Sequence, residues 1–314
     1  MKLYRNSGIA IVAATAALIA LGIAYWYSAV PSSPSLSSDP IRTGRIDVVT
    51  SFYPIAEFAR QVGGDLVTVS TITPPGTEPH DYEPTGRQVA EMYGADVLFY
   101  NGSGVDAWAE KLAADLKLRG VPTVRIASAI DLLASSEDTE TDPHFWLDPI
   151  LAAKEVALIR DTLSTVDVKN DATYAKNADA YLARLASLDA EFVSGLASCR
   201  QRTVITSHAA FAYLAKRYRF EVISISGISP EQEPSAGRLS EIAATAKAKG
   251  VKAIFFETLV SPKLSETIAS EIGAITLVFN PLEGLSDEEA AAGEDYLSVM
   301  RQNLRNLKIG MVCP

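Results

Sequence analysis

Short apolar strand patterns alternate with amphipathic helix patterns along most of this 314-residue chain, and this alternation constrains the fold most strongly. The alternation occurs in two runs, residues 45–168 and residues 200–314. Between them, residues 171–198 carry apolar side chains at helical spacing, with no Pro and one Gly. Alternating strands and helices favour a parallel sheet with covering helices. We therefore predict an α/β protein of two lobes, each with a mostly parallel sheet covered by helices, joined by one long helix within residues 169–199.

The charge balance excludes one large class of partners. The chain has 38 Asp and Glu against 28 Lys and Arg, which gives a formal net charge of −10. A nucleic-acid-binding protein needs a basic face to meet the phosphates, so we expect no nucleic acid partner. An acidic surface instead tolerates and attracts cations.

The amino end has the composition of an export signal. Lys2 and Arg5 stand at the start, and residues 8–30 form a run without charge. We predict that residues 1–30 are either a cleaved signal peptide or a retained membrane anchor, because about 20 apolar residues cross a bilayer and the cleavage signal is poor. The Ser- and Pro-rich residues 31–44 are predicted to be a flexible linker. These features indicate an exported protein, in the periplasm or on the outer face of the cytoplasmic membrane.

The two cysteines, Cys199 and Cys313, would lie in a compartment where disulfides persist. One expectation is a bridge between them, and the other is two free buried thiols. A bridge would tie the C-terminal tail to the start of the second lobe. It would stabilise the fold by roughly 2–4 kcal/mol, mainly by restricting the unfolded chain.

The three histidines of the chain lie in distinctive loops. His80 is in a Pro-rich loop that follows a strand pattern, His144 lies between two Asp-Pro pairs, and His208 directly follows another strand pattern. Asn280 ends a fourth strand pattern. Imidazole is the commonest transition-metal ligand in proteins, and open α/β sheets bind ligands outside the carboxyl ends of their strands. The pattern therefore favours a metal site assembled from distant loops.

Short motifs around these residues share their order with one known group of proteins. The motifs are SFYP at 51–54, GTEPH at 76–80, GADVL at 94–98, DPHFWLDP at 142–149, TSHAAF at 206–211, GISPEQEPS at 227–235 and FET at 256–258. Together they resemble the zinc/manganese-type substrate-binding proteins of ABC transporters, in which a rigid helix bridges two lobes. The resemblance covers about residues 46–312.

The resemblance implies a set of metal ligands in the cleft between the lobes. His80 and His144 would come from the first lobe and His208 from the second. Asn280 falls where the family commonly has aspartate, so the fourth ligand stays open among Asn280, Glu257 and water. We expect Glu257 to hydrogen-bond a ligand histidine or to bind the metal itself. A third imidazole favours zinc, whereas manganese prefers carboxylate oxygens.

The function that the resemblance implies is transport without catalysis. The chain would capture a divalent metal ion, Zn²⁺ first and Mn²⁺ as the alternative, and deliver it to a membrane permease with its ATPase. A zinc hydrolase with a three-histidine site and a surface adhesin stay open as alternatives. The sequence lacks an HExxH motif and a nucleophile elbow, which disfavours the hydrolase.

Overall fold

The computed structural model describes residues 44–134 and 141–314. The predictions of an export segment and a linker concern residues 1–44 and lie almost wholly outside these described residues. Within the described residues, none of the helices combines the length and the apolar character that crossing a membrane requires.

The first sheet is parallel throughout and has the strand order β2-β1-β3-β4. Helices cover it on the connections between strands, as a parallel sheet requires. Trp108 is buried among the apolar residues of this half. The elements are β1 (Ile46–Thr50), α1 (Tyr53–Gly63), β2 (Val67–Thr71), α2 (Gly86–Gly94), β3 (Val97–Tyr100), α3 (Ala107–Leu118) and β4 (Thr123–Arg125).

Two helices follow, and the second is the long helix expected from the sequence. Helix α4 (Pro149–Val166) begins at Asp148, whose carboxylate accepts a hydrogen bond from the backbone N–H of Ile150 at 2.8 Å. Helix α5 (Asp171–Leu196) buries its whole apolar stripe and packs against α4 and α1. At 1.5 Å per residue it is about 39 Å long. The division into lobes at residues 168 and 200 stays a prediction.

The second sheet repeats the first, with four parallel strands in the order β6-β5-β7-β8. The α/β fold class with two parallel sheets is thus confirmed. Its elements are β5 (Thr203–Thr206), α6 (Ala212–Tyr218), β6 (Glu221–Ser224), α7 (Ala236–Lys249), β7 (Ala253–Phe256), α8 (Lys263–Ile272), β8 (Ile275–Val278), α9 (Asp287–Ala291) and α10 (Tyr296–Gly310).

Two short helices, α6 and α9, were not expected from the sequence. A helix of five to seven residues is too short for its apolar periodicity to be recognised. Helix α9 begins instead at a capping box, in which Ser286 accepts from the backbone N–H of Glu289 and the Glu289 side chain accepts from that of Ser286.

The C-terminal tail is fixed beside the end of α5. Cys199 and Cys313 form a disulfide across a sequence separation of 114, which confirms the bridged alternative over two free thiols. Next to it, the backbone N–H of Gln201 donates to the carbonyl oxygen of Met311 at 2.9 Å. The bridge therefore ties the last helix to the residue stretch that leads into β5.

Candidate metal centre

Four side chains that can bind a metal converge from loops that follow strands of both sheets. His80 lies in the loop after β2 and His144 in the loop after β4, while His208 follows β5 and Glu283 follows β8. Loops at the carboxyl ends of parallel strands share one edge of a sheet, which brings residues that are distant in sequence together. The structure thus joins all three histidines of the chain with one glutamate that the sequence analysis did not select.

Five of the six distances among the four ligand atoms lie between 3.1 and 3.3 Å, and all four atoms lie within 4.8 Å of one another. Oε1 of Glu283 lies 3.1–3.3 Å from the Nε2 atom of each histidine. Nε2 of His144 lies 3.2 Å from Nε2 of His80 and 3.3 Å from Nε2 of His208. A regular tetrahedron with such edges has its centre about 1.9–2.0 Å from each corner, close to the Zn–N and Zn–O distances of about 2.0–2.2 Å.

Carboxylates behind two of the histidines orient the rings. Nδ1 of His144 lies 2.8 Å from Oδ1 of Asp142, and Nδ1 of His208 lies 2.7 Å from Oε1 of Glu257. When Nδ1–H donates to the carboxylate, Nε2 is left with its lone pair towards the centre of the cluster. The two carboxylates are almost fully buried, and each also accepts a backbone N–H from the histidine that it orients.

The electrostatics of the cluster are dominated by burial and by Glu283. Burial lowers the pKa of His80. Burial also opposes protonation of His144 and His208, but their carboxylate partners outweigh it and raise both pKa values. Burial favours the neutral form of Glu283, yet the three imidazoles outweigh it and lower its pKa well below the usual range. The carboxylate of Glu283 is therefore the ionised group at the centre of the cluster.

The loop that carries His80 has contacts with both halves of the site. The His80 backbone N–H donates to Oε1 of Glu78 at 3.1 Å. Burial, followed by the nearby charge of Glu283, raises the pKa of Glu78 to about 9. The backbone N–H of Gly76 donates to the carbonyl oxygen of Leu285 at 3.0 Å, and Gly76 adopts a positive φ of 72° there. This hydrogen bond joins the loop of His80 directly to the loop of Glu283.

Asn280, expected as a candidate fourth ligand, has a different set of partners. Its Nδ2 donates to Oγ1 of Thr258 at 3.0 Å and to Oε1 of Glu289 at 2.8 Å. Its Oδ1 accepts the backbone N–H of Leu282 at 2.7 Å, which is an Asx turn. In the structure the amide of Asn280 holds the turn after β8, and Glu283, at the end of that turn, reaches the histidines. A role of Asn280 as a ligand stays a prediction.

Glu257 and the glutamates of the 227–235 motif are also placed by the structure. Glu257 was expected either to hydrogen-bond a ligand histidine or to bind the metal. In the structure it lies behind His208 and hydrogen-bonds its ring. Glu231 and Glu233 are exposed, and Ser235 caps α7 by accepting from the backbone N–H of Arg238 at 3.1 Å. The sequence does contain a signal for Glu283, because it is a carboxylate only three residues beyond Asn280, which ends the strand pattern.

The sequence of the chain is similar to those of known zinc-binding proteins. The chain is 40% identical over 278 residues to the zinc-binding lipoprotein AdcA of Streptococcus pneumoniae, covering 84% of this chain and 56% of AdcA. It is 37% identical over 315 residues to the high-affinity zinc uptake system protein ZnuA of Bacillus subtilis, covering 96% of each chain. The chain thus spans about half the length of AdcA and nearly all of ZnuA.

Solved structures lead to the same group. The crystal structure of the Zn(II)-bound ZnuA-like domain of Streptococcus pneumoniae AdcA superposes with a TM-score of 0.77 at 41% identity, covering 85% of this chain and 99% of that domain. Residues 48–310 match the family described as ZnuA, zinc-uptake complex component A, periplasmic. This chain belongs to the ZnuA family of zinc-uptake components.

Proposed function

We propose that this chain captures one Zn²⁺ ion with His80, His144, His208 and Glu283 and delivers it to an ABC permease with its ATPase. The observation that carries the proposal is the set of four ligand atoms at 3.1–3.3 Å from their neighbours, drawn from both sheets. The family of the chain supports it, as do the names of relatives that are called zinc-binding or zinc-uptake proteins.

A complete protein shell favours capture over catalysis. Catalytic zinc sites keep one position open for water, whereas structural and storage sites use four protein ligands. Here three imidazoles and one carboxylate supply four ligands, so no position is left for an attacking water. The hydrolase alternative is not favoured for this reason, and no feature of the described residues supports the adhesin alternative specifically.

The ligand set also supports zinc over manganese. Imidazole nitrogen suits zinc, whereas manganese prefers more oxygen ligands and an octahedral shell. The single carboxylate oxygen at the centre comes from Glu283, and the other three atoms are nitrogens. Zinc also exceeds manganese in the general affinity order of such sites.

Charge balance explains how a divalent ion is held in so buried a position. The ion would meet the carboxylate of Glu283 directly and those of Asp142 and Glu257 through the two histidines. All three carboxylates are buried, and their charges compensate the ion together with its neutral imidazoles. Without such compensation, the desolvation of the ion would cost several kcal/mol.

The setting of the protein is also part of the proposal. Residues 1–30 would export the chain and either leave it free in the periplasm or hold it at the outer face of the membrane. The family description as periplasmic and the name of AdcA as a lipoprotein support an exported location. Because α5 runs between the two sheets without Pro or a Gly pair, loading should move the ligand loops and leave the lobes nearly fixed.

Two measurements test the function. Titration of the metal-free full chain with zinc should give one ion per chain, and X-ray absorption at the zinc edge should show three imidazole nitrogens and one oxygen. A strain without the gene should then need added zinc for growth in chelated medium, and the wild-type gene should restore growth. A stoichiometry of zero, or growth that is independent of the gene, would reject the proposal.

A further inference from the structure

A cavity of about 410 Å³ lies on the second half of the chain, away from the metal centre. Arg202, in the wall of the cavity, directly precedes β5, whereas His208 follows the same strand. The cavity therefore lies at the amino end of β5 and the metal centre at its carboxyl end. The described residues that line it are Phe192, Val193, Leu196, Ala197, Arg202, Arg217, Tyr218 and Arg219. They include three arginines and no Asp or Glu, in a chain whose net charge is −10.

The three guanidinium groups are not equally available. Arg217 is paired with Asp189, with its Nε 2.6 Å from Oδ1 of that carboxylate, so its positive charge is already compensated. Arg202 donates from Nη2 to the carbonyl oxygen of Ala197 at 3.0 Å and has no carboxylate partner in the described residues. The backbone N–H of Arg219 donates to the carbonyl oxygen of Ala215, but its guanidinium has neither a hydrogen bond nor an ion pair within residues 44–134 and 141–314. The cavity wall therefore carries two uncompensated positive charges.

The backbone at Arg219 supports a role for its side chain. Arg219 ends α6 in the left-handed region, with φ 60° and ψ 52°. Gly and Asn are favoured at this position because they adopt it with little strain. An arginine there accepts backbone strain, and its side chain lines the cavity.

The rest of the cavity wall is apolar. The ring of Phe192 stacks on that of Tyr218, with centroids 5.0 Å apart and planes 23° apart. Leu196 continues this surface, and Val193 remains 55% exposed at the rim. An exposed valine beside stacked rings and free arginines is a surface for a ligand with an apolar body and an anionic head.

We propose that this cavity binds a phosphate monoester with an apolar substituent. Guanidinium groups bind phosphate in a bidentate manner, and a phosphate monoester with a charge near −2 at pH 7 matches the two free charges of Arg202 and Arg219. The apolar substituent would cover Val193 and Leu196. Both a soluble organic phosphate and the headgroup of phosphatidic acid have this chemistry.

Calorimetric titration of the purified full chain tests the proposal, with phenyl phosphate, inorganic phosphate and phenol as probes. Phenyl phosphate should bind, inorganic phosphate at least tenfold more weakly, and phenol not measurably. The double variant Arg202→Gln/Arg219→Gln should lower the affinity for phenyl phosphate at least tenfold. Val193→Glu, which places a carboxylate at an exposed rim position and should spare the fold, should do the same. Water-soluble dihexanoyl phosphatidic acid identifies the source, since tighter binding than phenyl phosphate points to a lipid.

Lys216→Gln is the matched control, because Lys216 is exposed on α6 and does not line the cavity. It should change the affinity less than twofold, and zinc binding should be unchanged in every variant. The proposal is overturned if phenyl phosphate does not bind, if inorganic phosphate binds equally well, or if Lys216→Gln weakens binding as much as the double arginine variant. Binding that survives Val193→Glu would likewise place the ligand outside the cavity.

Discussion

Nε2 of His80 lies 3.1 Å from Oε1 of Glu283, although 203 residues separate them in the chain. The contact exists because the loop after β2 and the loop after β8 meet, and the hydrogen bond from Gly76 to Leu285 holds them together. One atom pair thus joins the two halves of the protein at the position where a metal ion would bind.

The first prediction concerns the ligands themselves. Glu283→Gln should weaken zinc binding at least tenfold, about 1.4 kcal/mol, because a neutral amide replaces the one charged ligand. Alanine at His80, His144 or His208 should weaken it at least as much. Competitive titration against a chelator measures each affinity. Glu288→Gln, at an exposed position of α9, is the control, and if Glu283→Gln binds zinc as tightly as this control, Glu283 is not a ligand.

The carboxylates behind the histidines should matter less than the ligands. Asp142→Asn and Glu257→Gln each leave an imidazole in place but remove the charge that orients it. Such changes typically lower the metal affinity about 10- to 100-fold, and we expect a loss of about tenfold in zinc affinity here. The same titration checks it, and unchanged affinity in both variants would contradict the role assigned to Asp142 and Glu257.

Asn280→Asp should destabilise the protein without improving manganese binding. The new carboxylate would replace an amide that donates to Glu289 and would stand against a like charge. We expect a loss of about 1–3 kcal/mol in the free energy of unfolding, measured with urea, as for other broken buried hydrogen bonds. A clear gain in the manganese affinity of this variant would contradict this account and favour residue 280 as a metal ligand.

The disulfide should stabilise the fold without shaping the metal centre. Replacing Cys199 and Cys313 by serine removes a bridge over a long chain segment and should cost about 2–4 kcal/mol in unfolding free energy. Zinc affinity should change less than twofold, since neither cysteine is near the ligands in sequence or along the strands that carry them. Urea unfolding and zinc titration of the same sample test both statements. Equal stability of the two proteins would show that the bridge constrains little.

Glu155 should make the protein less stable as the pH rises. Both of its carboxyl oxygens are buried without a partner in the described residues, and burial raises its pKa well above the usual range. The unfolded chain loses this proton above its ordinary pKa of about 4.3, whereas the folded chain keeps it. Folding stability is therefore full below pH 4 and declines from there towards the raised folded pKa. Glu155→Gln should remove that decline and be more stable than wild type at pH 8 by more than about 1 kcal/mol.

Asp189→Asn serves as a control of opposite sign. The hydrogen bond from Arg217 is the main cause that lowers the pKa of Asp189, and Tyr218 adds to it. Because the pKa is lower in the folded chain, ionised Asp189 stabilises the fold at pH values above its unfolded pKa of about 3.9. This stabilisation is lost as the pH falls through the lower pKa of the folded chain. Urea unfolding from pH 3 to pH 8 should thus show a deficit of Asp189→Asn that is largest at neutral pH. Parallel pH profiles of wild type and Glu155→Gln would refute the account of Glu155.

The periodicity of the sequence was enough to predict the architecture. Alternation of strands and helices has a physical cause that is local, since each element must turn one apolar face to the core. The long helix within residues 171–198 could be read for the same reason, because its stripe of buried residues repeats with the helical period. The three histidines could be selected because the chain contains no others, His80 and His208 follow strand patterns, and His144 lies between two Asp-Pro pairs.

Only the tertiary structure decided which side chain after β8 lies among the histidines. The ring of contacts from Asn280 to Thr258, Glu289 and Leu282 turns its amide away from the histidines, and that turn places Glu283 among them. No local preference encodes this outcome, since Asn280 and Glu283 both follow β8 and both carry oxygen ligands. Long-range packing of the loops, which lie far apart in the sequence, selects between them. For the same reason, the sequence alone indicated a metal site with three histidines, whereas only the folded chain shows that Glu283 is the carboxylate beside them.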